Sequence, residues 1–272
     1  MPDYEPLPHV LWIGGPAGAG KTIVARRLAR RYGLRWYNCD AQTWRHLDRA
    51  LAIGIRNAQR FGALTPAQRA AAPAAEIEYD RGPFTIEDLR ALPSAPLIVV
   101  DGAPPAPTVA AEGQAVWLLP SRAVQRTRLA ARHPDGIPPR YLQQWQEVAD
   151  RAAASGQPSV TVDGLTVEQT VAEVARVFAN RLAAGPVATT MAERRQLLRY
   201  ANTEIIAQCQ GWFAHQPDPA AGSLRAVSTA SAAGPAASNW SSCRSKWPRR
   251  RSRPAPPSPP PATEPGCPRG DR

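Results

Sequence analysis

The strongest chemical signal in the chain is eight residues long: Gly15-Pro16-Ala17-Gly18-Ala19-Gly20-Lys21-Thr22. They match G-x-x-x-x-G-K-[ST], the Walker A pattern of a phosphate-binding loop. Each residue type has a physical reason. Glycines let successive backbone N–H groups turn inward and approach a polyphosphate without Cβ obstruction. A helix that opens near Lys21 aims its positive dipole end at the same oxygens. Lys21 is placed to reach the β/γ-phosphate oxygens, and the Thr22 hydroxyl to ligate Mg²⁺. The chain holds 33 Lys and Arg, yet its lysines are only Lys21 and Lys246. A sequence this committed to arginine keeps lysine at 21 because a planar guanidinium does not fit where a compact ammonium does.

Acids and arginines further along extend the pattern. Residues 34–40 read as a second strand that closes on Asp40. Residues 95–102 place four apolar residues before Asp101 and Gly102, the form of a Walker B strand following a Walker A loop. A strand at 115–119 leads through Ser121, an N-cap residue type, into a helix bearing Arg122, Arg126, Arg128 and Arg132. Arg122 and Arg126 lie four apart, as do Arg128 and Arg132, so each pair shares a helix face. Asp163 sits in a Val-Asp-Gly turn after the last short strand.

The elements that must position these residues alternate. The run 10–13 is apolar without alternation, the pattern of a strand buried on both faces. The helix after the loop buries Val24, Leu28 and Ala29 and stops at Gly33. A further helix is predicted over 41–60, through Trp44, Leu47, Leu51 and Ile55. Prolines break 61–95 into short pieces, with a helix near 85–92. Helices are also predicted over about 140–155, from Thr166 to about Gly185, and over 191–213. Strands alternating with helices predict an α/β fold, a parallel sheet covered on both faces in three layers, α/β/α. Trp36, Tyr37, Trp44 and Phe61 read as core first and as pocket lining second. His46, His133 and His215 read as packing or surface residues.

The formal net charge is +11. Residues 211–272 carry nine Lys and Arg against three Asp and Glu, more than half of that excess. Nucleic acid is therefore not an expected partner beyond non-specific attraction to the basic tail. Four cysteines form no C-x-x-C pair, so neither a disulfide framework nor a zinc site is readable. The first residues lack a basic segment followed by an apolar run, and no stretch reaches 18 apolar residues. The expectation is a cytoplasmic protein with no membrane partner. From 217 to 272 the composition turns to Pro, Ser, Ala and Arg, which cannot bury enough apolar surface to order itself. Three readings stand for it: a disordered basic tail, a polyproline-type ligand, or an out-of-frame translation of GC-rich coding DNA. The composition favours the last.

The order of these signals resembles the P-loop small-molecule and nucleotide kinases, among them the adenylate and shikimate kinases. The resemblance covers residues 9–182 and is most specific over 15–22. A weaker likeness, to C-terminal extensions of uncharacterised actinobacterial members, covers 186–226. It implies a P-loop NTPase domain at 1–185, a helical extension at 186–216 and the tail at 217–272. It also implies ATP and Mg²⁺ as cofactors, with residues 15–22 on the phosphates, Thr22 and Asp101 at the metal, and Asp40 on an acceptor hydroxyl. Arg126, Arg128 and Arg132 would form a lid in which one arginine stacks on adenine and others neutralise developing charge, with Arg122 and Arg128 on the nucleotide and Arg126 and Arg132 catalytic. Asp163 would lie near adenine. No nucleoside-monophosphate motif is found between 55 and 95. The function so implied is transfer of the γ-phosphoryl of Mg–ATP to a hydroxyl of a small molecule. The alternative is a nucleotide-dependent regulatory ATPase, or switch, acting on a protein partner.

Overall fold

The computed structural model describes residues 7–102, 110–134 and 136–215. Sixteen elements lie in these segments. The chain opens with β1 (Val10–Gly14), α1 (Lys21–Tyr32) and β2 (Arg35–Asn38). Five helices follow without an intervening strand: α2 (Thr43–Ala52), α3 (Arg56–Ala63), α4 (Pro66–Ala71), α5 (Ala74–Ile77) and α6 (Gly82–Ala91). Next come β3 (Ile98–Asp101), β4 (Ala115–Leu119), α7 (Arg122–Arg132), α8 (Pro139–Ala154) and β5 (Ser159–Thr161). The described part closes with α9 (Val167–Val177), α10 (Ala179–Ala184) and α11 (Met191–Ala214).

All five strands pair in parallel, in the order β2-β3-β1-β4-β5. The chain fills one side of β1 before crossing to the other. The crossing falls at the carboxyl end of β1, where open α/β sheets form their ligand crevices. Alternation along the strands supplies two cores. Leu11, Ile13, Trp36, Val99, Val116 and Leu118 face α1 and α9, whose Val24, Leu28, Val171 and Val174 are fully buried or nearly so. Val10, Trp12, Tyr37, Ile98 and Val100 face Ile86 and Leu89 of α6. The α/β class with helices on both faces is thus as the periodicity predicts. No helix among the described residues is long and apolar enough to cross a membrane.

A third apolar cluster joins α2, α3, α6 and α11 through Trp44, Leu47, Ala58, Phe84 and Trp212. Helix α11 packs closely here: a Cβ on Gly211 would lie 2.7 Å from Cβ of Trp44. Its entry segment also joins the sheet layer, with Leu97 N donating to Pro186 O and Ala188 N to Gly33 O, both at 2.8 Å. The helix lies outside the strand–helix repeat, as predicted, and is packed against it.

Several boundaries differ from the sequence expectation. Strand β2 ends at Asn38, and Asp40 lies in the single 3₁₀ turn Cys39–Gln42. The helix expected over 41–60 is two helices, because the chain turns back at Gly54 with φ +77, a conformation that favours glycine. The helix expected from 166 to 185 is interrupted at Phe178, whose ring is fully buried. The proline-broken stretch 61–95 forms α4, opened by a Thr65–Gln68 capping box with Pro66 in the first turn, then α5 and α6. The tail predicted at 217–272 lies outside the described residues.

Candidate functional site

The loop of residues 15–20 leaves β1 and enters α1 at Lys21. Gly15, Gly18 and Gly20 all take positive φ. At Gly15 the requirement is twofold: φ is +139, and a Cβ would lie 2.3 Å from the carbonyl oxygen of Leu118 in β4. The loop is therefore pinned against the neighbouring strand. Gly18 rests against Gln125 and Leu129 of α7, with a built Cβ 3.4 Å from each.

Lys21 folds back along the loop, its Nζ donating to Gly15 O at 2.7 Å and to Pro16 O at 3.0 Å. Burial lowers its pKa, while the charges of Asp40 and Asp101 work against that shift and Arg132 adds to it. Asp40, Asp101 and Arg132 therefore lie within electrostatic reach of Lys21. Thr22 Oγ1 donates to Asp101 Oδ2 at 2.6 Å. The two residues are 79 positions apart and meet because β3 runs beside β1, placing Ile13 opposite Asp101.

Asp101 is buried, and burial raises its pKa. Three donors oppose that shift: Thr22, Asn38 and Trp36. Trp36 Nε1 donates to Oδ1 at 2.6 Å and Asn38 Nδ2 to the same oxygen at 3.0 Å. Both come from the face of β2 that α1 covers, and Asn38 is the register partner of Asp101. Asp40 follows on the 3₁₀ turn and is held by its backbone: Thr43 Oγ1 donates to Asp40 O at 2.7 Å, and Arg81 donates to Cys39 O.

The arginines of α7 divide. Arg128 donates to Gly18 O at 3.3 Å and to Val162 O at 3.4 Å, so it ties the loop to the turn after β5. Arg132 is exposed but close enough to act on Lys21. Arg126 is exposed. Arg122 lies over the Trp145 ring at 4.7 Å and donates to Gln146, so its guanidinium is engaged with α8. Asp163 accepts from Ser121 N at 2.9 Å, a hydrogen bond that lowers its pKa. It works with Ser121, whose side chain caps Val124 N, at the start of α7. The structure therefore brings together residues 15–22, Asp40, Asp101, Arg128 and Arg132. Arg122 and Asp163 are spent on α8 and on the α7 N-terminus.

Sequence reasoning missed three contributors and read a fourth, Trp36, as core or pocket lining. Gln125, buried in α7, donates to Ala17 O and to Tyr141 O, both at 3.0 Å, and so bridges the loop and α8. Arg81 and Asn38 are the other two. Asn38 could have been read as an N-cap type two positions before Asp40. Gln125 and Arg81 left no local signal.

The oxygens and amides fit a phosphate ligand with a hard cation. A glycine-rich turn at a helix N-terminus suits phosphate oxygens. The Thr22 hydroxyl and Asp101 carboxylate, 2.6 Å apart, are donors of the kind Mg²⁺ takes alongside phosphate and water. Among the described residues no group of three or more His, Cys, Asp or Glu could hold a metal ion.

A second polar cluster lies behind the Asp40 turn. Asp88 of α6 accepts from the Tyr37 hydroxyl at 2.7 Å, Arg45 at 2.7 Å and Arg49 at 2.8 Å, and lies 2.9 Å from His46 Nε2. Burial alone would raise its pKa, but hydrogen bonds from His46, Tyr37 and Arg45 hold it well below the usual carboxylate range. His46 is fully buried. Trp44 stacks on His215 at 4.9 Å, and Gln42 donates to Glu204 of α11 at 2.5 Å. The aromatics 36, 37 and 44 are buried, as their spacing predicts, and Phe61 packs against the third cluster. Compared with known proteins, the chain matches no protein-family model and no curated protein.

Proposed function

We propose that this protein is a P-loop kinase that transfers the γ-phosphoryl group of Mg–ATP to a hydroxyl of a small molecule. One observation carries the reading. Lys21, the Thr22–Asp101 pair and Asp40 come from the ends of β1, β3 and β2, and converge at the strand-order reversal of a parallel sheet. In this reading the 15–20 amides and Lys21 hold the phosphates. Thr22 and Asp101 take the cation, which supplies neutralising charge to the transferring group. Asp40 accepts a hydrogen bond from the acceptor hydroxyl, orienting it and receiving its proton. Arg132 adds positive charge as the phosphoryl oxygens develop theirs. Arg128 keeps the loop in place through its carbonyl contacts. Arg126 is exposed on the same helix and is free to approach when α7 moves.

A second reading, a nucleotide-dependent switch, draws support from α11. That helix packs against the Asp40 turn through Glu204 and against α2 through Trp212 and His215. Movement of the turn with nucleotide state would reach a C-terminal partner surface.

The test is ATP consumption by the full chain with Mg²⁺ across a panel of hydroxylated metabolites, nucleosides and antibiotics. A Lys21→Ala variant runs in parallel. A kinase shows one acceptor class raising turnover well above the water background, and only with Lys21 present. Uniformly slow hydrolysis with tight nucleotide binding favours the switch, and absence of nucleotide binding removes both readings.

A further inference from the structure

We infer that Asn38 is a positioning residue that couples the cation-binding carboxylate to the acceptor acid, a step that rests on the kinase reading above. Its amide is used at both ends. Nδ2 donates to Asp101 Oδ1 at 3.0 Å, and Oδ1 accepts from Ala41 N at 2.7 Å. The orientation is fixed by chemistry, since a carboxylate only accepts and a backbone N–H only donates. One end braces the acid at the tip of β3, and the other is the N-cap of the 3₁₀ turn that carries Asp40. Asn38 thus touches both Asp101 and that turn through one side chain.

A second contact interlocks the same two segments. Gly102, directly after Asp101, has φ +123, and a Cβ there would lie 2.7 Å from Cβ of Cys39 and 3.3 Å from Asp40 N. The end of β3 and the Asp40 turn are therefore closely packed against each other. Asparagine meets the two demands where aspartate or serine does not. Aspartate keeps the capping oxygen but turns a second acceptor on Asp101, and serine is too short to span both partners. When Asp101 is fixed by a cation–nucleotide complex, Asn38 transmits that order to the turn presenting Asp40. The acceptor acid is then set once the phosphoryl donor is loaded.

Amide hydrogen exchange on the full-length protein tests this, with a non-hydrolysable ATP analogue added in Mg²⁺ or in EDTA. In the wild-type protein, Mg–analogue slows exchange over residues 15–22 and also over 39–43, the latter only with Mg²⁺. In Asn38→Ala, protection over 15–22 persists and the Mg²⁺-dependent protection over 39–43 is lost. Asn38→Asp keeps the cap and is the control against simple misfolding. It shows normal exchange over 39–43 without ligand, but the gain in analogue affinity on adding Mg²⁺ falls about tenfold. Affinity in EDTA is unchanged. If 15–22 is not protected in the wild type, the kinase reading itself fails. If 15–22 is protected while 39–43 responds equally in wild type and Asn38→Ala, or if Asn38→Asp keeps its full Mg²⁺ gain, the coupling is overturned and the kinase reading stands.

Discussion

The loop at 15–22 and the Asp88 cluster are both dense in polar contacts, but they are built by opposite means. The loop is local. Lys21 bonds carbonyls five and six positions away, and three glycines within six residues adopt positive φ. The Asp88 cluster is assembled from α2, α6 and β2, and Tyr37, Arg45, Arg49 and His46 converge on its one carboxylate. In the proposed reading the first serves the chemistry, and Lys21 is a cation held against desolvation. In the same reading the second holds the helices behind the Asp40 turn. Activity and stability should therefore separate by region.

The largest separation is expected from Lys21→Ala. Turnover should fall by about 10²- to 10³-fold, because the lost charge acts mainly on the transferring group. Thermal stability should stay within about 1 kcal/mol, since the variant removes a desolvated cation whose protein contacts are two loop carbonyls. A melting transition recorded beside the ATP assay checks both halves; a large stability loss would erase the contrast.

Asp88→Asn should do the reverse, costing about 3 kcal/mol by leaving Arg45, Arg49 and His46 facing a neutral amide. Its effect should also depend on pH. The folded-state pKa of Asp88 lies below its unfolded value, so the carboxylate's contribution is complete above about pH 4. That contribution is lost as pH falls through the folded value. Chemical denaturation at pH 6 and pH 3 should show the gap between wild type and Asp88→Asn narrowing at the lower pH.

Gly15→Ala sharpens the comparison within the loop. The positive φ and the clash with Leu118 O should cost about 1–3 kcal/mol and displace the loop from β4. Gly20→Ala, where a Cβ meets only Ile23 at 3.8 Å, should cost less. Nucleotide titrations and melting temperatures of the pair give the ranking. The smallest effect is expected from Arg122→Ala, about 0.5–1 kcal/mol through loss of its stacking on Trp145, with turnover unchanged. A marked loss of activity there would return Arg122 to the site.

What the sequence determined by itself is local in origin. The 15–22 spacing, the apolar runs at 10–13 and 98–100, and the caps at Ser121 and Thr166 each act over a few residues, and their physics is visible in the string. They were enough for the α/β class and for five of the residues that converge: Lys21, Thr22, Asp40, Asp101 and Arg132. Tertiary structure decided what each polar side chain is spent on. Arg122 and Arg128 are identical by residue type, yet one stacks on α8 and the other holds the loop, because helix α7 presents them to different neighbours. Asp163 became a helix-terminus acceptor because the turn after β5 passes Ser121. Trp36 and Asn38 gained their roles from the pairing of β2 with β3, which sets Asn38 opposite Asp101. Parallel strand neighbours are joined by long crossovers, and register between them is a property of the whole sheet.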